Sequence, residues 1–164
     1  MATPIQLGKR GALFKLDALE PGVQEFRELY ASPELYKWLT DVLPNMVSSW
    51  QTELSPLEQF DDLSGIFCAG DRLEYQTQFK PLTHITDGVW ELKTSDIRVF
   101  GWFFRKDCFI GAVADDATRI KQHNLYHGYA NVTTRRFRDA LDLDQPKYVP
   151  GDDPHAVVSN FDYA

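Results

Sequence analysis

The stretch GVWELKTSDIRVFGWFFRKDCFIGAVA, residues 88–114, carries the architecture of the chain. It holds three apolar, aromatic-rich runs, GVWELKT, IRVFGWFF and CFIGAVA. Aromatic and β-branched runs of this length, bounded by polar residues, read as strands. The gaps SD (95–96) and RK (105–106) have hairpin length, so the spacing predicts an antiparallel meander. With Ser95-Asp96 as a two-residue turn, Lys93 faces Arg98 and Glu91 faces Phe100. Side chains alternate along a strand, which puts Glu91, Lys93, Arg98, Phe100 and Trp102 on one sheet face.

Two opposed cations on such a face need compensation. One reading is structural: Glu91, diagonal to Arg98, pairs with it while Lys93 reaches solvent. The other is functional: Lys93 and Arg98 point together at a phosphate or carboxylate, with Glu91 fixing the arginine. The neighbouring Phe100 and Trp102 suit either core packing or stacking against bases.

Outward from this stretch, the pattern changes. Before it, helical spacing predominates. EPGVQEFRELYA aligns Val23, Phe26 and Tyr30, and Ser32-Pro33 and Ser55-Pro56 each read as an N-cap followed by proline at the first helical position. Leu35, Trp38, Leu39 and Val42 form the first apolar stripe, which Pro44 kinks or ends; Leu57, Phe60, Leu63 and Phe67 form the second, which closes near Gly70. GALFKLD reads as a short strand and LEYQTQFKPL alternates loosely. After the meander, DDATRIKQHNLYHGY reads as a polar helix or loop. NVTTRRFRDALDL reads as a helix capped by Asn131 or Thr133, with Val132, Phe137 and Leu141 as its apolar contacts. The Pro- and Asp-rich end reads as a loosely packed tail. The expected class is α+β, divided into a helical N-terminal extension (1–55) packed on the core, a central α+β domain (56–142) and a C-terminal tail (143–164).

The composition supports a folded chain: of 164 residues, 43% are hydrophobic and 13% aromatic, well above what disordered segments carry. No apolar run approaches the ~18–20 residues of a membrane span. MATPIQLGKR lacks the apolar centre of a signal peptide, so a cytoplasmic location without membrane contact is expected. Cys68 and Cys108 stand alone in apolar settings and read as reduced core residues. The formal charge of −7 excludes indiscriminate nucleic-acid binding, but it is unevenly spread. Residues 80–138 hold ten basic and six acidic residues, a net of +4, whereas the remainder sits at −11. That split fits a localised anion site and equally an uneven solvated surface. No GxSxG, P-loop, GxGxxG or HExxH signature occurs, and no cysteine or histidine spacing suggests a metal.

The segment FKPLTHITDGVWELKTSDIRVFGWFF resembles the RelE/HigB superfamily of toxin-like proteins, especially its phage-derived HigB-like branch. The likeness is carried by Lys80, Leu82, Gly88, Trp90, Glu91, Leu92, Lys93, Arg98, Val99 and Phe100, and extends over about residues 56–140. The resemblance implies a twisted antiparallel sheet flanked by helices. It also implies a metal- and cofactor-independent endoribonuclease that cuts mRNA on the ribosome and is restrained by an antitoxin. Catalytic residues implied by it are Lys80, Lys93, Arg98, Lys121 and His127, supported by Glu91 and Tyr126. Arg119, Arg135, Arg136 and Arg138 are implied as RNA contacts. The chain departs from the family in its acidity, in residues 1–55, and in Asp115 and Asp116, which stand where relatives place an aromatic and lysines. A carboxylate beside a scissile phosphate is repulsive unless it serves as a base or a ligand. Two other functions fit the same residues: a non-catalytic protein-binding module on this fold, and an inhibitor whose acidic surface imitates nucleic acid.

Overall fold

The computed structural model describes residues 1–82 and 84–163, which form an α+β structure built on one mixed sheet of eight strands. Its centre is the stretch read above: β5 (Trp90–Lys93), β6 (Ile97–Arg105) and β7 (Cys108–Asp116) are sequential antiparallel neighbours. β4 (Phe79–Pro81) pairs antiparallel with β5 on the other side. The expected three-strand meander is thus part of a larger sheet. β2 (Glu28–Ala31) lies parallel to the outer edge of β7, followed by β1 (Phe14–Lys15). At the opposite end β3 (Leu73–Tyr75) and β8 (Phe161–Tyr163) extend the order to β1-β2-β7-β6-β5-β4-β3-β8.

The second hairpin turns at Lys106-Asp107 rather than at Arg105-Lys106. Asp107 takes the left-handed conformation (φ 64°), which a short side chain able to bond its own backbone tolerates better than lysine does. A bulge where Phe100 and Gly101 of β6 meet β7 brings Gly101 opposite Gly111. A Cβ on Gly101 would lie 2.1 Å from the Ile110 carbonyl oxygen, so only glycine fits this crossing.

Helices cover both faces. On one, α2 (Pro33–Asp41) and α3 (Pro56–Ala69) pack Leu35, Leu63 and Phe67 against Trp90, Leu92, Val99, Phe103 and Phe109. Ser32 and Ser55 cap these helices as expected, and Gly70 ends α3 at φ 77°. On the other face α1 (Pro4–Lys9), α4 (Ala117–His123) and α5 (Tyr126–Val132) enclose Phe100, Trp102, Phe104 and Ile110. Alternating residues of β6 feed the two cores in turn, so its aromatics serve packing on both sides.

Three local expectations change. EPGVQEFRELYA does not form a helix: Val23 and Phe26 are exposed, and the segment enters β2 instead. Pairing with the otherwise open edge of β7 outweighs a weak helical pattern that begins at Pro21-Gly22. Residues 1–55 therefore supply two strands of the common sheet as well as helices. Neither Asn131 nor Thr133 starts a helix as its N-cap, because α5 continues into a π-helical turn, Thr133–Arg138. The Thr133 hydroxyl donates back to the Tyr129 carbonyl at 2.8 Å, the mid-helix alternative to capping.

The C-terminal tail is integrated. Val157 and Val158 are buried in the core, α6 (Pro154–Val157) precedes β8, and Arg27 fastens this segment. Its guanidinium, 1% exposed, donates to the carbonyls of Phe67, Ser159 and Asn160 and lies 3.3 Å from Asp107. Cys68 and Cys108 are free and buried, and burial pushes both thiols up to about 12. No helix among the described residues is long and apolar enough to cross a membrane.

Candidate active site

Register places the cations. Lys80 of β4 lies opposite Glu91 of β5, Glu91 opposite Phe100 of β6, and Lys93 of β5 opposite Arg98 of β6. Paired residues on neighbouring strands project to the same side, so Lys80, Glu91, Lys93 and Arg98 form a compact block on one face. β7 then runs into α4, whose N-cap is the Asp116 side chain accepting from the Arg119 amide at 2.9 Å. Asn124, left-handed at φ 52°, turns the chain into α5. Tyr126 meets Phe100 edge-on at 5.9 Å between centroids and Tyr129 stacks on it at 5.3 Å. These contacts seat α4 and α5 over β6 and β7.

The result is a cleft of 380 Å³. Its floor is Glu91, Lys93 and Arg98. One wall is Lys80 with Leu82, His84 and Ile85 in the connection to β5; the other is Lys121, Asn124, Tyr126 and His127. All five residues expected to be catalytic, Lys80, Lys93, Arg98, Lys121 and His127, line it together with both supporting residues, Glu91 and Tyr126.

Glu91 is 2% exposed and Arg98 6% exposed. The Arg98 Nη1 donates to the carbonyls of Thr94 (2.5 Å) and Ile97 (3.0 Å), which holds the guanidinium against its own hairpin. Its Nε and the Glu91 Oε2 are both buried and find no partner among the described residues. The expected Glu91–Arg98 ion pair does not form within 4.0 Å among the described residues. Burial drives the Glu91 carboxyl above its ordinary range, against the pull of Arg98, Lys93, Lys80 and Lys121. Lys93 does not simply reach into solvent: it is half-buried and its Nζ donates to the Gln76 carbonyl at 2.9 Å. Burial first, then Arg98 across the strand pair, lowers its pKa. Burial likewise raises the Tyr126 phenol.

A buried donor and a buried acceptor, both unfilled and on adjacent strands of a floor ringed by four cations, suit a ligand that offers an anionic oxygen and a hydroxyl hydrogen together. A phosphate next to a ribose hydroxyl has that composition.

The residues expected to contact RNA are not brought to this cleft. Arg119 is exposed and bound to Asp115, which also accepts from the Tyr129 hydroxyl. That pairing is how the chain accommodates the acid at 115: its charge is directed to Arg119 and Tyr129. Arg136 pairs with Glu34 of α2 at 3.5 Å and Arg135 is exposed on the same turn. Arg138 is 6% exposed, donates to the Asp87 carbonyl at 2.6 Å and lies 3.7 Å over the Tyr148 ring, so it staples the C-terminal segment. His84 and Asn124 enter the cleft without having been singled out by sequence. A lone histidine in a loop carries no periodic signal, and its place depends on where the loop after β4 comes to rest.

No family model, no curated protein and no solved structure matches this chain. Among the described residues, no three His, Cys, Asp or Glu side chains gather as a metal site.

Proposed function

We propose that the chain is a toxin-like endoribonuclease of the HigB-like kind, which cleaves mRNA by internal attack of a ribose 2′-hydroxyl on the adjacent phosphate. The observation that carries this reading is the convergence of Lys80, Lys93, Arg98 and Lys121 around the unpartnered Arg98 Nε and Glu91 Oε2. Cations held around a phosphate stabilise the charge that accumulates as the fifth oxygen bonds to phosphorus. Glu91 orients the RNA by accepting a hydrogen bond from the hydroxyl of a ribose flanking the cleaved linkage, His127 transfers a proton, and Tyr126 closes the wall and donates to the bound phosphate. This chemistry needs positioned cations and proton carriers, and the cleft holds both. The reading extends to delivery of mRNA on a translating ribosome, to restraint by an antitoxin and to a cytoplasmic location.

Inducible expression in a bacterial host, with growth and mRNA decay followed, tests the proposal. Arrest with mRNA cleavage is expected from the wild type and not from Lys80→Ala, whose half-buried side chain makes no hydrogen bond or ion pair among the described residues. Arg98→Ala is the harsher companion variant, since it also frees two main-chain carbonyls. Unimpaired growth and intact mRNA with soluble, folded wild-type protein would exclude the nuclease.

One observation favours a second reading, a non-catalytic binding module on the same fold. Lys93 and Arg98 both donate to main-chain carbonyls of neighbouring turns, as structural cations do. In that case the cleft binds an acidic segment of a protein, and affinity for such a peptide replaces cleavage as the readout.

A further inference from the structure

Two of the four histidines line the cleft, and the strand order β6-β5-β4 puts them on its two flanks, His84 beyond β4 and His127 in α5, which is seated on β6. His84 comes from the connection after β4, His127 from the first turn of α5, and the floor of β5 and β6 lies between them. Both imidazoles are exposed, and neither makes a hydrogen bond to another described residue. By contrast, the His155 ring is engaged by Asp153 at 3.1 Å and packs on Phe161. Facing the two imidazoles are Lys80 on β4, Glu91 and Lys93 on β5, Arg98 on β6, Lys121 on α4 and Tyr126 on α5.

Internal cleavage of RNA is an in-line displacement. The 2′-oxygen attacks phosphorus from one side, the 5′-oxygen leaves from the other, and the non-bridging oxygens point between them. One group must take the 2′-hydroxyl proton and another must give a proton to the departing 5′-oxygen, and the two must stand on opposite sides of the phosphate. The cations belong between them. Histidine walls on either side of a cationic floor reproduce that layout.

Resting on the RNA-cleavage reading, we infer that His84 is the second catalytic proton carrier, acting with His127 across the cleft. One imidazole accepts the 2′-hydroxyl proton as the 2′-oxygen bonds to phosphorus. The other, protonated, delivers its proton to the 5′-oxygen as the P–O5′ bond breaks. The products are a 2′,3′-cyclic phosphate and a free 5′-hydroxyl, with one proton taken up and one released by the pair. Histidine is the side chain whose ordinary titration lies nearest neutrality, so it serves either role in turn.

The test is the pH dependence of single-turnover cleavage of ribosome-bound mRNA by the full chain, by His84→Gln and by His127→Gln. Both side chains are exposed, and unchanged thermal unfolding verifies that the variants fold. The wild type is expected to give a bell-shaped profile. Each variant is expected to lose about 10²- to 10⁴-fold in rate and one limb of the bell, a different limb for each. A second mRNA, with sulfur replacing the bridging 5′-oxygen at the cleaved linkage, has a leaving group that departs without a proton. It should restore the variant lacking the donor and leave the other slow. Wild-type rate with both limbs in His84→Gln overturns the role of His84 while the nuclease reading stands. Absence of cleavage by the wild type removes that reading, and this inference with it.

Discussion

Lys93 and Arg98 stand directly opposite one another on β5 and β6 and project to the same side of the sheet. The lysine is drawn toward Gln76 and the arginine toward the Thr94 and Ile97 carbonyls, so main-chain oxygens anchor both cations beneath the cleft. Opposed like charges cost about 0.2–1 kcal/mol across a strand pair, and the hydrogen bond from Lys93 returns about 0.5–1.5 kcal/mol. For Lys93→Met these terms nearly cancel, and thermal unfolding should show a change within about 1 kcal/mol. RNA cleavage should nonetheless fall about 10-fold or more, the scale of one charged hydrogen bond lost at the phosphate. Matched loss of stability and activity would identify Lys93 as structural alone.

The cleft's cations should make RNA binding salt-dependent. Single-stranded nucleic acid loses affinity with a logarithmic slope of about 0.7 for each phosphate neutralised. Fluorescence anisotropy with a labelled 2′-O-methyl RNA, which resists cleavage, should show such a slope. Lys80→Ala is expected to lower it by about 0.7. An unaltered slope would place the RNA away from β4.

Glu91 predicts an unusual pH dependence of stability. Its pKa is raised in the folded chain because burial disfavours the carboxylate, even with Arg98 and Lys93 close by. Below the unfolded value of 4.5 both states are protonated and its contribution is fully present. As pH rises from there through the raised folded value, the unfolded state releases its proton first and that contribution is lost. Glu91→Gln removes this loss, so the stability of wild type relative to the variant should decline with rising pH over that window. Parallel curves from urea unfolding at several pH values would contradict the buried, unpaired carboxyl. Cleavage by the variant should be impaired at pH values where Glu91 is ionised, since an uncharged amide is a far weaker acceptor for the ribose hydroxyl than a carboxylate.

Arg27 predicts how the C-terminal segment is held. Its buried guanidinium joins Asp107, in the β6–β7 turn, to the carbonyls of Ser159 and Asn160 just before β8. Arg27→Met leaves those carbonyls without their charged donor, while Asp107 keeps the Ser159 amide and hydroxyl; leaving buried acceptors unsatisfied costs about 1–3 kcal/mol. Hydrogen exchange at residues 159–163 should accelerate more than exchange at β6. Uniform acceleration would mean that the segment has no local opening of its own.

Elements dictated by neighbouring residues were legible in the sequence. The two Ser-Pro starts and the glycine at position 70 define their helices through local capping and backbone geometry. The Ser95-Asp96 gap sets the register that pairs Lys93 with Arg98, and once that pairing holds, alternation alone assigns Glu91 to the same face. The helix expected before β2 failed because its outcome depended on a partner distant in sequence, the free edge of β7. For the same reason the C-terminal residues looked loose: β8 gains its order from β3 and Arg27, neither of which is near it in the chain.

The candidate site divides along the same line. Residue types and strand register determined that three charged groups, Glu91, Lys93 and Arg98, would lie together on the sheet, because hairpin pairing is set over a few residues. Tertiary structure decided the rest. The packing of α4 and α5 on Phe100 brought Lys121, Tyr126 and His127 to that face, while burial removed Arg138 from solvent and Asp115 engaged Arg119. The path of the loop after β4 set His84 in the opposite wall. A side chain's charge is written in its residue type, but its solvation, its partners and the direction it faces are properties of the folded chain, set by contacts among residues far apart in sequence.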